Sequence, residues 1–226
     1  MDRAVAKPYP TAPAVKKNIH FAELAPFLGL FREGVPVICY HKVGRKPLRA
    51  KLRGIYVTRG LFRRQMRELR EAGFRTVTLD ECAASPAPKD RKIVLTFDDG
   101  SVTVLKNAAP AMAAAGFTAI NYLVADLIGG TNAWDTVNGE VPDRLMDDAQ
   151  VRDWLAAGHE IGSHTRSHPR LSKIPPDKAR EEIFDSKKML EDRFGIPIRH
   201  FCYPYGDLSP LVRDLVAEAG YATAVT

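Results

Sequence analysis

Two carboxylates stand side by side at Asp98-Asp99, and two histidines stand four residues apart at His164 and His168. Adjacent carboxylates repel, so one gains by binding a cation while the other stays free for proton transfer. A single turn of chain between His164 and His168 brings both imidazoles to one side, able to hold one metal ion. Pro169 follows, so a bent loop is expected there rather than an unbroken helix. One aspartate and two histidines make a three-donor face with open positions, the arrangement of catalytic rather than structural zinc. Such a cation lowers the pKa of its bound water to ~7 and polarises a carbonyl. Taken singly, Asp-Asp-Gly is also an ordinary strand-ending turn and a histidine pair an ordinary polar surface turn.

The elements that must position these groups alternate between two periods. VPVICY (35–40) and KIVLTF (92–97) are apolar runs of buried-strand type, the second ending in Asp98-Asp99. FRTVTL (74–79), FTAINYLV (117–124), HEIGSH (159–164), RHFCYPYG (199–206) and YATAVT (221–226) read as further strands, some running into turns. Helices are predicted over 61–73, 102–116, 148–158, 176–195 and 209–220, each closing on a glycine. Strand–helix alternation implies parallel strands with crossover helices, and the chemistry-bearing residues fall where strands give way to loops. A parallel barrel builds its active site at that face. The 16-residue stretch 128–143 exceeds an ordinary connection and reads as a functional loop, with Trp134 able to stack on a sugar ring or simply to pack.

The chain has 226 residues, 45% hydrophobic and 27% charged, enough for one large domain with a substantial core. Its net charge of +6 is read first as a mildly basic solvated surface, and otherwise favours anionic surroundings such as a cell envelope, a phosphate-bearing glycan or nucleic acid. No basic patch is interleaved with aromatics, which argues against single-stranded nucleic acid as a partner. Cys39, Cys82 and Cys202 form no CxxC pair, so a cysteine zinc site is not expected and buried apolar roles are, with Cys39 and Cys202 beside motifs. No stretch reaches the ~18 apolar residues of a membrane span, and the N-terminus lacks the apolar segment of a signal peptide. The chain as given therefore reads as cytoplasmic, or as a cell-envelope protein if a signal has been removed.

TFDDG (96–100), SHTRSH (163–168) and FCYPYG (201–206), in that order, resemble the polysaccharide deacetylase (NodB-homology) family. AGHEIGSHTRSHPRL and GYATAVT resemble its wording as well, so the similarity runs from about Val35 to the C-terminus. The resemblance implies a distorted (β/α) barrel of about seven parallel strands with outer helices. It implies a divalent metal, zinc above all, on Asp99, His164 and His168, with Asp98 as general base. Tyr205 would offer a backbone N–H to the oxyanion, and Trp134 and Tyr203 would contact substrate. The substrate would be an N-acetylated glycan, and the reaction amide hydrolysis releasing acetate.

Two features depart from the common family pattern. Cys202 stands where many members carry an arginine that orients the base, and the usual downstream acid histidine would lie beyond Thr226. Tyr40-His41 after the first strand resembles instead the permuted branch that contains the biofilm poly-N-acetylglucosamine deacetylases, in which an N-terminal histidine protonates the leaving amine. On that reading His41 lies at the barrel mouth, with Asp98 on the opposite flank of the substrate. Residues 1–30 are expected to form an N-terminal arm and short helix, and 31–226 the catalytic domain, which would lack part of its C-terminal end. Hydrolysis of an O-acetyl ester or non-sugar amide, or a glycan-binding barrel without catalysis, are the competing functions. His159 and His200 read as structural, and His20 has no ligand partner by spacing.

Overall fold

The computed structural model describes residues 34–84 and 91–226, together with Leu24, Ala25, Gly29 and Phe31. Most of the expected N-terminal arm and short helix over 1–30 lies outside the described residues. Nine strands and seven α-helices follow in chain order. They are β1 (Val37–Tyr40), β2 (Lys42–Val43), β3 (Tyr56–Val57), α1 (Arg59–Glu71), β4 (Arg75–Thr76), α2 (Leu79–Ala84) and β5 (Lys92–Phe97). A π-helical turn, Val104–Ala108, runs into α3 (Ala109–Ala115), followed by β6 (Ile120–Leu123), α4 (Ala133–Thr136), α5 (Asp148–Ala156) and β7 (Glu160–Ser163). The chain closes with α6 (Pro176–Phe194), β8 (His200–Cys202), α7 (Pro210–Glu218) and β9 (Thr223–Val225).

Seven strands form one parallel sheet in the order β1-β5-β6-β7-β8-β9, with β4 pairing the start of β5 and β2–β3 standing apart. The sheet curls into a barrel left open between β1 and β9: the strand–helix alternation predicts its parallel strands, and the family resemblance implies the barrel. Its outer face and the helices enclose the larger core, which includes Phe62, Leu95, Met112, Trp154, Ile183 and Phe201. α1 shows how the sequence builds that layer. Thr58 caps it by accepting from the Leu61 N–H, and Phe62, Gln65, Met66 and Leu69 recur on one buried face.

The inside of the barrel is a smaller core of Val77, Leu79, Val94, Ile120, Tyr122 and Cys202. Gly162 has no side chain there because a Cβ would press on the Tyr122 ring and the His200 carbonyl. The expected strand over 74–79 is shorter than predicted: only Arg75–Thr76 pairs, and Leu79 already begins α2. The cause is local, since Thr78 accepts from the Glu81 N–H and so caps a helix instead of extending a strand. The same segment then supplies Val77 and Leu79 to the barrel interior.

The loop 128–143 is not irregular throughout. α4 lies within it, and Glu140 fastens it by accepting from the backbone N–H groups of Lys51 and Leu52 at 2.8 and 2.7 Å. Buried Lys42 sits 3.6 Å from Asp143 at its far end. These ties fix the loop as a wall of the barrel mouth.

Candidate active site

β5 delivers Asp98 and Asp99 to the mouth in different directions. Asp98 stays in the ladder, its N–H donating to the Tyr40 carbonyl at 3.0 Å, whereas Asp99 turns into the left-handed region at φ 75°. β7 ends at His164, and the chain then bends through Thr165 (φ 69°) to His168 (φ 67°). Asp99, Thr165 and His168, together with Tyr205 (φ 60°), are four of the five described non-glycine residues at positive φ. Backbone strain in this molecule is therefore concentrated at the three motifs, where it aims side chains at one point.

That bend is held from behind by α6. Glu182 accepts from the N–H groups of Arg166 and Ser167 at 2.8 and 2.9 Å and from the Ser167 hydroxyl at 2.6 Å. Arg166 in turn bridges Asp126 and Asp185, each at 3.2 Å. The His168 N–H donates to Thr165 Oγ1 at 3.0 Å.

The result is a compact donor cluster. Asp99 Oδ1 lies 3.8 Å from His164 Nε2 and 3.5 Å from His168 Nε2, and all three residues are buried. Metal–ligand bonds of about 2.0–2.2 Å set donors roughly 3.4 Å apart, so this set fits one divalent cation. His164 Nδ1 lies 2.8 Å from the Cys202 carbonyl, which can only accept; the proton is thus on Nδ1 and the Nε2 lone pair faces Asp99. Burial, with His164 adjacent, pushes the His168 pKa down to about 2, so its imidazole is neutral as a ligand must be. Burial raises the Asp99 pKa to about 7, against the pull of His164 and with repulsion from Asp98. A carboxylate held at that cost, with no lysine or arginine ion-paired to it among the described residues, suits a bound cation.

Asp98 carries a different environment. One oxygen, Oδ2, accepts from the Cys39 thiol at 3.4 Å and lies 3.7 Å from His41 Nε2. The other, Oδ1, is buried and without a hydrogen-bond partner. The register Tyr40↔Phe97 explains the His41 contact, because one step beyond it sets His41 beside Asp98. His41 shares the cavity with His164 and His168, but the expected placement of Asp98 on the opposite flank does not occur. His41 and Asp98 stand on the same flank, since their strands are hydrogen-bonded neighbours.

A cavity of about 720 Å³ opens over these groups, also lined by Trp134, Tyr203 and Tyr205. Trp134 stacks on the His168 ring (centroids 4.4 Å, planes 21° apart), so one indole face is covered by that ring. Tyr205 packs edge-on against the same His168 ring and lies under Arg170, whose guanidinium carbon is 4.1 Å from the ring centre. Arg170 and Asp135 also line the cavity and went unnoticed in the sequence. For Arg170 the available signal was a cation two residues past His168; a lone aspartate in a long loop gave none for Asp135.

Cys39 corrects one expectation: it opens into the cavity instead of being buried, whereas Cys202 is buried in the barrel interior. Desolvation on the cavity wall and the neighbouring Asp98 raise the Cys39 thiol, and burial and Asp98 raise that of Cys202, both well above the ordinary range, so neither is a thiolate. His159 stacks on Trp154 and accepts from the Ala119 N–H, and His200 contacts Thr223, both away from the cluster.

Fold and site together define an open parallel (β/α) barrel with a carboxylate–histidine cluster at its mouth. The polysaccharide deacetylase family matches residues 85–224, and the chain belongs to that family. Among curated relatives it is similar to the putative polysaccharide deacetylase YxkH of Bacillus subtilis (strain 168), 23% identical over 85% of this chain and 64% of that protein. The chain thus spans somewhat less than two thirds of that relative's length. Among solved structures it is similar to the Streptococcus pyogenes deacetylase PplD in complex with acetate (TM-score 0.70, 20% identity, 84% of this chain and 81% of that one). It is similar also to IcaB from Ammonifex degensii (TM-score 0.70, 23% identity, 83% and 81%). At these identities the two structures establish the fold. Among the described residues, no helix is long and apolar enough to cross a membrane.

Proposed function

We propose that the chain is a divalent-metal-dependent hydrolase that removes N-acetyl groups from N-acetylhexosamine units of a glycan, with residues 31–226 as the catalytic unit. The observation that carries this reading is the convergence of Asp99, His164 and His168 beside a second carboxylate, Asp98, whose Oδ1 has no partner. A divalent cation on that face, zinc being the ion its nitrogen and oxygen donors suit, would polarise the acetyl carbonyl and acidify a water.

The remaining steps belong to the side chains. Asp98 accepts the proton of the attacking water. His41 donates a proton to the departing amine, which leaves poorly unless protonated. Their 3.7 Å separation lets the proton taken by Asp98 pass to His41 and on to nitrogen, so one turnover leaves both groups as they began. Tyr205, held at positive φ, turns its backbone toward the oxyanion. The uncovered face of Trp134, together with Tyr203, receives the sugar.

Acetate release from a panel of N-acetylated oligosaccharides, with O-acetylated sugars alongside, tests the reading. Preferential release from N-acetyl substrates is expected. Release only from O-acetyl esters would make the protein an esterase, and release from neither would leave a binding barrel.

A further inference from the structure

The net charge of +6 is not spread evenly. Residues 42–71 hold eleven lysines and arginines against two glutamates, a net of +9, so the rest of the chain is net acidic. Four of those eleven cations line one groove of about 610 Å³ between α1 and the Val104–Ala115 helical segment. Arg59, Arg63, Arg67 and Arg70 form one wall, and Lys106 stands across from them. Arg67 has only an exposed contact with Glu71 at 3.8 Å, and Arg70 donates to the Ala114 carbonyl. Arg59, Arg63 and Lys106 have no ion-pair partner among the described residues.

The geometry points to this groove as a binding site for a linear, phosphate-bearing glycan strand. Arginines at these spacings set cations about 6 Å apart along roughly 16 Å of helix. That matches an extended chain carrying one phosphodiester per monomer, and guanidinium forks fit phosphate oxygens bidentately. The floor between the cations is Ala111 and Ala114, small enough to admit a polyol backbone. The groove is concave, which a flat bilayer surface cannot enter. Among the described residues no aromatic side chain lines it, and aromatic side chains are the stacking platforms that hold single-stranded nucleic acid. Its Arg59 end adjoins the barrel mouth, because α1 follows β3, which pairs with β2 just after His41. A strand lying along α1 would thus lead toward the cavity. None of the groove residues belongs to the deacetylation site, so the two readings stand or fall separately.

The test is fluorescence anisotropy with a labelled, lipid-free poly(glycerol phosphate) oligomer of about ten units and the full chain, from 50 to 300 mM salt. Binding should weaken linearly in log–log form as salt rises. Arg59→Ala/Arg63→Ala should reduce that slope by about 1.4, at ~0.7 per lost contact for a flexible polyanion, and weaken binding at least about tenfold. Hydrolysis of a short neutral oligosaccharide should not change. Unchanged affinity in the double variant would overturn the site. Equal or tighter binding of single-stranded DNA of the same phosphate count, or binding only to anionic phosphatidylglycerol vesicles, would overturn the glycan assignment.

Discussion

His41 Nε2 lies 3.7 Å from Asp98 Oδ2, at the paired ends of β1 and β5. The two groups best placed to move protons therefore form one unit on one side of the Asp99–His164–His168 face. His41→Ala should keep both fold and metal, since its imidazole is not among the donors around Asp99. N-deacetylation should fall by about 10²–10⁴-fold. An acetyl ester with a good leaving group needs no protonation and should lose far less. Equal losses on amide and ester would remove His41 from the acid role.

Asp98→Asn separates binding from chemistry. The amide cannot accept the water's proton, so turnover should drop about 10²–10⁴-fold while metal content stays at the wild-type level. Near wild-type turnover would mean that Asp98 and Asp99 have exchanged roles.

Glu182 touches no candidate ligand directly, yet it anchors the backbone of the histidine bend through three hydrogen bonds. Glu182→Ala should weaken metal binding about 10–100-fold without removing a donor, as loss of outer support does at other metal sites. A competition titration against a chromogenic chelator reads this; an unchanged affinity would show that the bend holds itself.

His159 predicts an acid limit. Burial lowers its pKa to about 4 from an ordinary 6.5. Between those values the unfolded chain takes up a proton that the folded chain refuses, so stability falls as pH drops from about 6.5 to 4. Denaturant unfolding of the metal-free protein should show that loss. His159→Gln should be less stable at pH 7, having lost the Trp154 stack, but should show a flatter slope over this window.

Much of this site was legible because its chemistry sits in contiguous words. TFDDG and SHTRSH each carry their donors within five or six residues, and the strand–helix alternation places them at one barrel end. What was not legible depends on pairing between distant segments. The Tyr40↔Phe97 register, which joins His41 to Asp98, leaves no mark on either apolar run. The Trp134–His168 stack and the Cys202 carbonyl behind His164 are contacts across 34 and 38 residues. The 74–79 strand was over-extended because alternation outweighed the capping signal of Thr78 three residues before Glu81.

Acetate release from N-acetylglucosamine oligomers, measured on one preparation before chelation, after it and after zinc is returned, tests the central claim most directly. Release should vanish with the metal and return when about one equivalent of zinc per chain is restored. In His168→Ala, zinc should restore nothing. Release that persists in the fully chelated protein, or that zinc restores equally in His168→Ala, would contradict it.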